Sequence, residues 1–228
     1  MSRGWLVVFA KAPRSGLVKT RMSPPFSLDQ SAALYQEMLA DVLSATARFS
    51  RRLDLEPVVA FHPPDAVHEI VGQGPAGFRF QVQRGEGLGD RMAHAVAEAA
   101  AAGAKCVLIR GSDSPALPFA RFDEALERLE SGDDVVFTPD QSGGYALIGM
   151  KRTEPGLFEI PMSTELVLEQ TLECARELGL SASATQAAFD LNTVGDLQLL
   201  EAVSAEEKTD LCPRTVQFLS TASARRVL

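Results

Sequence analysis

Four cationic residues fall within eleven positions near the start of this chain: Lys11, Arg14, Lys19 and Arg21. Ala10, Pro13 and Gly16 share the stretch, and no acidic residue occurs before Asp29. Like charges this close repel one another unless an anion lies among them. The residue types therefore point to a phosphate or diphosphate cradle, with Ala10, Lys11, Pro13, Arg14, Gly16, Lys19 and Arg21 as its candidate members. Two familiar phosphate loops do not fit. Leu17 and Val18 separate Gly16 from Lys19-Thr20, where a Walker loop has glycine directly before lysine. The stretch also lacks the G-x-G-x-x-G of a dinucleotide-binding loop.

Further along, Asp113 stands in Gly-Ser-Asp-Ser-Pro (111–115) and Asp190 in Asp-Leu-Asn-Thr (190–193). A carboxylate in such a loop can hold Mg²⁺ or Mn²⁺ whose other positions are taken by water and phosphate oxygens. Asp113 and Asp190 are thus the candidate metal ligands, and capping of a turn or helix is the plainer alternative for each. Lys19 and Asp113 are the candidate catalytic residues. Ser142-Gly143-Gly144-Tyr145 is a tight turn whose glycines could leave backbone N–H groups bare toward a substrate. Arg91 follows the glycine-rich stretch 83–89 and is a further candidate phosphate contact.

These residues need a frame that brings them to one edge. Trp5 to Phe9 is an apolar run of strand length that opens directly into the basic loop. Similar runs occur at 57–61, 78–82, 106–110, 134–138 and 145–150. Between them, helical periodicity marks 27–50, with a Ser27/Gln30 capping box, then 88–102 and 119–129. A short helix is expected over 65–71 and a hairpin-like return between the last two strands. Strands alternating with helices through short loops predict an α/β fold: three layers, α/β/α, around a mostly parallel, doubly wound sheet. In such sheets ligands bind beyond the carboxyl ends of the strands. After Lys151 the pattern changes. A helix capped at Ser163-Thr164 and ending near Gly179, a short strand at 184–189, a helix over 194–203 and a last short helix after Ser204 are expected, with 220–228 frayed.

The 228 residues suit one domain, 1–228, with a nucleotide-binding half (1–110) and a metal and acceptor half (111–228). The chain carries a net charge of −8, and its last 200 residues hold 17 bases against 30 acids. An acidic body disfavours nucleic-acid and anionic-membrane partners and favours a local basic pocket for one small anion. No membrane span is expected. Three scattered cysteines, Cys106, Cys174 and Cys212, form no metal or disulfide pattern and suit a reducing cytoplasm.

Five blocks taken together, KAPRSGLVKTR (11–21), GLGDRM (87–92), GSDSPAL (111–117), SGGYALIG (142–149) and DLNTVGDL (190–197), resemble the GT-A-type proteins called rSAM/selenodomain-associated transferases, which have been tied to arsenosugar biosynthesis. A more distant likeness runs to guanylyl- and cytidylyltransferases. The resemblance implies a GT-A, nucleotide-diphospho-sugar transferase fold. Its first strand–loop unit would hold the nucleotide and Asp113 would match the metal-binding aspartate. It implies a glycosyltransferase that moves a sugar from a nucleotide to a small-molecule or lipid acceptor. The alternatives are a nucleotidyltransferase that releases pyrophosphate and a nucleotide-binding member without catalysis. Two positions depart from the family pattern: Ser142 and Asn192 stand where carboxylates are usual, which removes two hard ligands from the expected site.

Overall fold

The computed structural model describes residues 3–151, 153–162 and 164–224. Its centre is a seven-stranded sheet: β1 (Gly4–Lys11), β2 (Leu55–His62), β3 (Arg79–Val82), β4 (Val107–Gly111), β5 (Val135–Pro139), β6 (Tyr145–Met150) and β7 (Ala182–Ala184). The strands lie in the order β3-β2-β1-β4-β6-β5-β7. Only β6 runs against its neighbours, β4 and β5. The expected mostly parallel three-layer sheet and the β5–β6 return are both present.

Eight helices are described: α1 (Leu28–Leu53), α2 (Val67–Val71), α3 (Leu88–Ala101), α4 (Phe119–Ser131), α5 (Val167–Glu177), α6 (Leu197–Ala202), α7 (Ala205–Leu211) and α8 (Pro213–Ala224). Alternation along β1 decides which helices cover which face. Trp5 and Val7 pack with Met92, Val96 and Ala99 of α3 and Ala175 of α5. Leu6 faces the other way, toward Phe49 of α1 and Phe122 and Leu126 of α4. Leu6, Val7 and Val8 are fully buried, and each such side chain contributes about 1.5–3 kcal/mol to folding.

Local signals set several boundaries. Ser27 Oγ accepts from the Gln30 N–H at 3.1 Å while Gln30 Oε1 accepts from the Ser27 N–H at 2.8 Å, so α1 begins with the expected capping box. It stops where Asp54 turns left-handed (φ 53°). Other boundaries depart from expectation. The edge strand β7 is Ala182–Ala184 rather than 184–189. Its entry is fixed by the Asp134 carboxylate, which accepts from the Ser181 N–H at 3.1 Å and from the Ser181 hydroxyl at 3.0 Å. α5 starts at Val167; the expected cap at Ser163 lies outside the described residues. The fraying expected over 220–228 is corrected for 220–224, which continue α8, and 225–228 lie outside the described residues. α8 was not expected at all. Asp41 of α1 anchors its first turn, accepting from the Thr215 N–H and Thr215 hydroxyl, each at 2.8 Å.

The chain's two directions of travel part between β1 and β4. From β1 it steps to β2 and β3 on one side, and β4, β6, β5 and β7 lie on the other. The crevice beyond such a switch point is where an open α/β sheet offers a ligand site.

Candidate functional site

A cleft of about 1090 Å³ opens at this edge, with Phe9, Arg21, Gly111, Asp113, the 140–145 turn, Asp190 and Asn192 among its walls. Its volume lies just above the range of ordinary small-molecule sites, roughly 300–1,000 Å³. The tertiary structure therefore brings four of the five sequence blocks, and the Arg21 end of the first, into one pocket. It does not bring all of their candidate residues there.

The basic loop leaves β1 through a series of turns. The Ala12 N–H donates to the His62 carbonyl at 2.9 Å and the Leu17 N–H to the Arg14 carbonyl at 3.0 Å. Gly16 adopts φ 75° in open space. Ala10 is buried in β1, where its carbonyl accepts from Gln83 Nε2 at 3.3 Å. Pro13 lies between these anchors. The four cations then divide. Arg14 turns away from the cleft and forks onto two carboxylates near α2: its Nε reaches Glu69 Oε1 and Oε2 at 3.0 Å and its Nη2 reaches Asp65 Oδ2 at 3.0 Å. Hydrogen bonds and charge from Glu69 and Asp65 raise the Arg14 guanidinium, and Arg14 in turn lowers both carboxyls.

Lys19 is buried, and its ammonium lies against the Asp113 carboxylate. The same nitrogen donates to the Leu191 carbonyl at 2.6 Å and to Asn192 Oδ1 at 3.4 Å. Its backbone is left-handed (φ 50°, ψ 33°), a conformation disfavoured for any residue with a side chain. Lys11 is exposed at the end of β1, and Arg21 faces the cleft. Among the described residues neither meets a carboxylate. The expectation that an acid-free loop of four cations awaits an external anion is thus corrected. Asp65, Glu69 and Asp113, remote in sequence, satisfy Arg14 and Lys19 internally.

Arg91 is corrected in the same way. It points to the far side of α3, where its Nε donates to the Gly85 carbonyl at 3.1 Å and its Nη2 to the Glu86 carbonyl at 3.3 Å. It tightens the turn before α3 and does not line the cleft. That turn needs Gly85 (φ 128°), because a Cβ there would lie 2.4 Å from the Asp90 Cβ.

The Ser142-Gly143-Gly144 turn is built around Asp140. One oxygen of that carboxylate accepts from the Ser142 N–H (2.6 Å), the Ser142 hydroxyl (2.7 Å) and the Gly144 N–H (3.1 Å). Of the two glycine N–H groups expected to face a substrate, that of Gly144 is therefore already satisfied. Gly143 (φ 83°) has a steric reason as well: a Cβ would lie 1.9 Å from the Glu165 carbonyl oxygen, where the chain crosses before α5. Tyr145 stacks at a tilt on Phe137, with centroids 5.3 Å apart. Burial pushes its phenol well up, with the Thr171 hydroxyl opposing.

Under the floor runs a polar chain that sequence reasoning missed. Arg110, in the apolar run of β4, is 1% exposed. Its Nη2 donates to the Ser114 carbonyl at 2.6 Å, its guanidinium lies 5.3 Å from the Phe122 ring, and its Nη1 has no partner among the described residues. The Ser114 hydroxyl donates to the Asp190 carboxylate. The Asp190 backbone is clasped by the side chain of Gln141, which accepts from its N–H at 2.9 Å and donates to its carbonyl at 2.7 Å. Burial, then the neighbouring Asp113 and Asp140 charges, push the Asp190 carboxyl up to about 7, against the Ser114 hydrogen bond and Lys19. The only sequence signal for Arg110 was a charge closing an otherwise apolar strand.

The acidic wall is also fuller than Ser142 and Asn192 suggest, because Asp140 and Glu165 join Asp113 and Asp190 around the cleft. The donor set nevertheless does not fit a resident Mg²⁺ or Mn²⁺. One Asp113 oxygen carries the Lys19 ammonium, one Asp190 oxygen accepts from Ser114, and Asn192 Oδ1 is neutral and within reach of Lys19. Among the described residues no group of three Asp, Glu, His or Cys is placed to hold a metal ion. The opposite wall is apolar, formed by Phe9, Leu88, Met92, Ile148, Met162 and Val167. No helix among the described residues is long and apolar enough to cross a membrane.

Comparison with known proteins agrees with this architecture. Residues 45–164 match the model of DUF2064, described as an uncharacterized protein conserved in bacteria. No curated protein sequence matched the chain. A crystal structure from Desulfovibrio desulfuricans G20, described provisionally as a nucleotide-diphospho-sugar transferase, aligns with a TM-score of 0.87 and 30% identity over 98% of this chain and 96% of the other. The 4-diphosphocytidyl-2C-methyl-D-erythritol synthase of Anaerococcus prevotii aligns at a TM-score of 0.56 and 10% identity, over 87% of this chain and 95% of that one. A cytidylyltransferase from Leptospira borgpetersenii aligns at 0.55 and 12%, over 99% and 96%. The last two share the fold alone.

Proposed function

For a chain that belongs to the DUF2064 family, we propose that the cleft binds a nucleotide diphosphate and that the protein is a transferase acting on a nucleotide-activated sugar. One observation carries this reading: at the β1/β4 switch point a cleft of about 1090 Å³ presents both Arg21, which meets no carboxylate among the described residues, and Asp113, held by Lys19. An unpaired cation at a pocket wall suits an anionic ligand. The 30% identity to a protein provisionally described as a nucleotide-diphospho-sugar transferase supports it.

In this reading residues 1–110 supply the nucleotide half and 111–228 the acceptor half. As the sugar–phosphate bond breaks, negative charge grows on the diphosphate, and Arg21, aided by the exposed Lys11 at the end of β1, stabilises it. Lys19 holds Asp113 and the 190–193 loop in place. Ser142 to Tyr145 and the apolar wall face the transferred sugar and its acceptor, a small molecule or lipid with some apolar surface. Asp190 is the carboxyl whose proton affinity suits a general base near neutrality. The finer kinship with rSAM/selenodomain-associated transferases belongs to the same proposal and rests on the five sequence blocks.

The test is a thermal-shift panel of nucleoside diphosphates, sugar nucleotides and nucleoside triphosphates. A true ligand at a hundred times its Kd stabilises by about 2.7 kcal/mol. Stabilisation by a diphosphate or sugar nucleotide is expected, and no shift with any nucleotide defeats the proposal. The cytidylyltransferase-like fold keeps a second reading in view, transfer of a nucleotidyl group. Pyrophosphate release from a triphosphate in the presence of candidate acceptors would decide for it. Binding without turnover of either kind would leave the non-catalytic reading.

A further inference from the structure

The acidic pocket of this cleft already contains a cation. The Lys19 side chain is 3% exposed, and its nitrogen has three oxygen neighbours: the Asp113 carboxylate, the Leu191 carbonyl at 2.6 Å and Asn192 Oδ1 at 3.4 Å. An ammonium has three donors and no acceptor, so this set matches it one for one. The three oxygens come from two loops, after β4 and before α6, and the ammonium is what ties both loops to the basic one. The backbone accommodates the arrangement at a cost, since Lys19 sits in the left-handed region without being glycine.

The ligand chemistry explains why a divalent ion is not the natural occupant. Mg²⁺ and Mn²⁺ take hard oxygen ligands and draw their affinity from carboxylate charge. Here a divalent ion at Asp113 would have to displace the ammonium or sit beside it against like-charge repulsion. Asn192 offers it a neutral oxygen, and Asp190 already has one oxygen engaged by Ser114. A single positive charge is what Asp113 and two neutral oxygens balance.

We infer that the Lys19 ammonium is the resident cation of the cleft, occupying the place on Asp113 that a divalent ion would take, so that the protein itself holds no divalent metal there. The consequence for ligand binding rests on the nucleotide reading above: a diphosphate is bound through Arg21 and Lys11, with the Lys19–Asp113 pair holding the loops in place, without a metal bridge.

Two measurements test this. The first needs no nucleotide. Mn²⁺ is titrated into the full-length protein and into Lys19→Gln, and bound ion is read by electron paramagnetic resonance. The wild type is expected to show no bound Mn²⁺ up to millimolar ion. Lys19→Gln, with Asp113 released, is expected to bind at least tenfold more tightly, and adding Asp113→Asn to it should remove the gain. Mn²⁺ binding by the wild type that Asp113→Asn abolishes overturns the inference, as does a Lys19→Gln variant that gains nothing. Should the Lys19 variant fail to fold, the wild-type titration still decides. The second measurement compares the Kd of whichever nucleoside diphosphate binds, in EDTA and in Mn²⁺. Equal values support the inference, and a loss of tenfold or more in EDTA refutes it. If no nucleotide binds in either buffer, the proposed function fails while the Mn²⁺ titration still rules on the cation.

Discussion

The ammonium of Lys19 lies against the carboxylate of Asp113, and both belong to loops that leave neighbouring parallel strands, β1 and β4. The pair closes the floor of the cleft at the point where the sheet changes direction. Its energetics are asymmetric. The Lys19 side chain is 3% exposed and the Asp113 side chain 41% exposed, so losing the lysine leaves a carboxylate that water can reach. Losing the aspartate strands a buried ammonium, the costlier case. Asp113→Ala should therefore destabilise the protein more than Lys19→Met, a ranking that urea unfolding midpoints would reverse if the pair were mere surface decoration.

The backbone at Lys19 allows a finer comparison. Lys19→Gly and Lys19→Met both remove the ammonium, but only glycine is at ease at φ 50°. Lys19→Gly should be the more stable of the two by about 1 kcal/mol. Equal stabilities would mean that the left-handed conformation carries no strain.

The glycine at 143 faces a stronger constraint than the one at 16. Both have positive φ, but a Cβ on Gly143 would meet the Glu165 carbonyl at 1.9 Å while one on Gly16 meets nothing within 4 Å. Gly143→Ala adds overpacking to strain and should cost roughly 2–4 kcal/mol. Gly16→Ala should cost about 1 kcal/mol. Thermal melts of the two variants would separate them; a Gly143→Ala protein as stable as Gly16→Ala would show that the 164–166 loop yields freely.

Within the basic loop, binding should follow which cations remain unpaired. Arg21→Ala should weaken a bound nucleotide by ten- to a hundredfold, the usual worth of a charge-assisted hydrogen bond of roughly 1.5–3 kcal/mol. Arg14→Ala should leave affinity unchanged, because that guanidinium is forked onto Asp65 and Glu69. Calorimetric titration of each variant with the nucleotide that shifts the wild type tests both statements, and equal losses at the two positions would restore Arg14 to the cradle.

Stability should depend on pH through Asp190. Its carboxyl is pushed up to about 7 from an ordinary 3.8, mainly by burial and then by Asp113 and Asp140. Between about 4 and 7 the folded protein keeps a proton that the unfolded chain has released. That contribution therefore falls as pH rises through this window and levels off above it. His62, lowered by burial and by Arg91 and Lys11, acts with the opposite sign, losing stability as pH falls. The Asp190 part is isolated by comparing Tm of wild type and Asp190→Asn: the wild type should lose Tm relative to the variant as pH rises from about 5 to about 7. A constant difference would place Asp190 in an ordinary carboxylate environment.

Much of the frame was legible because its causes are local. Apolar runs of strand length gave β1, β2, β4, β5 and β6 to within a residue or two at each end, since burial on both faces leaves few polar positions. The Ser27/Gln30 capping box was readable because its partners are three residues apart. The short edge strand β7 and the helix α8 were not, because their determinants are remote: Ser181 bonds Asp134, and Asp41 anchors Thr215 from 174 positions away.

The same division runs through the site. By itself, the sequence determined that a cationic loop follows the first strand, that Asp113 and Asp190 stand in loops flanked by small residues, and that these loops share one edge of a parallel sheet. Which cation meets which carboxylate was decided by the tertiary structure alone. Charges carry no record of their partners along the chain, and an ion pair forms wherever packing brings opposite signs together out of water. Hence Arg14 belongs to Glu69 and Asp65, Lys19 to Asp113, and Arg21 is left facing the cleft.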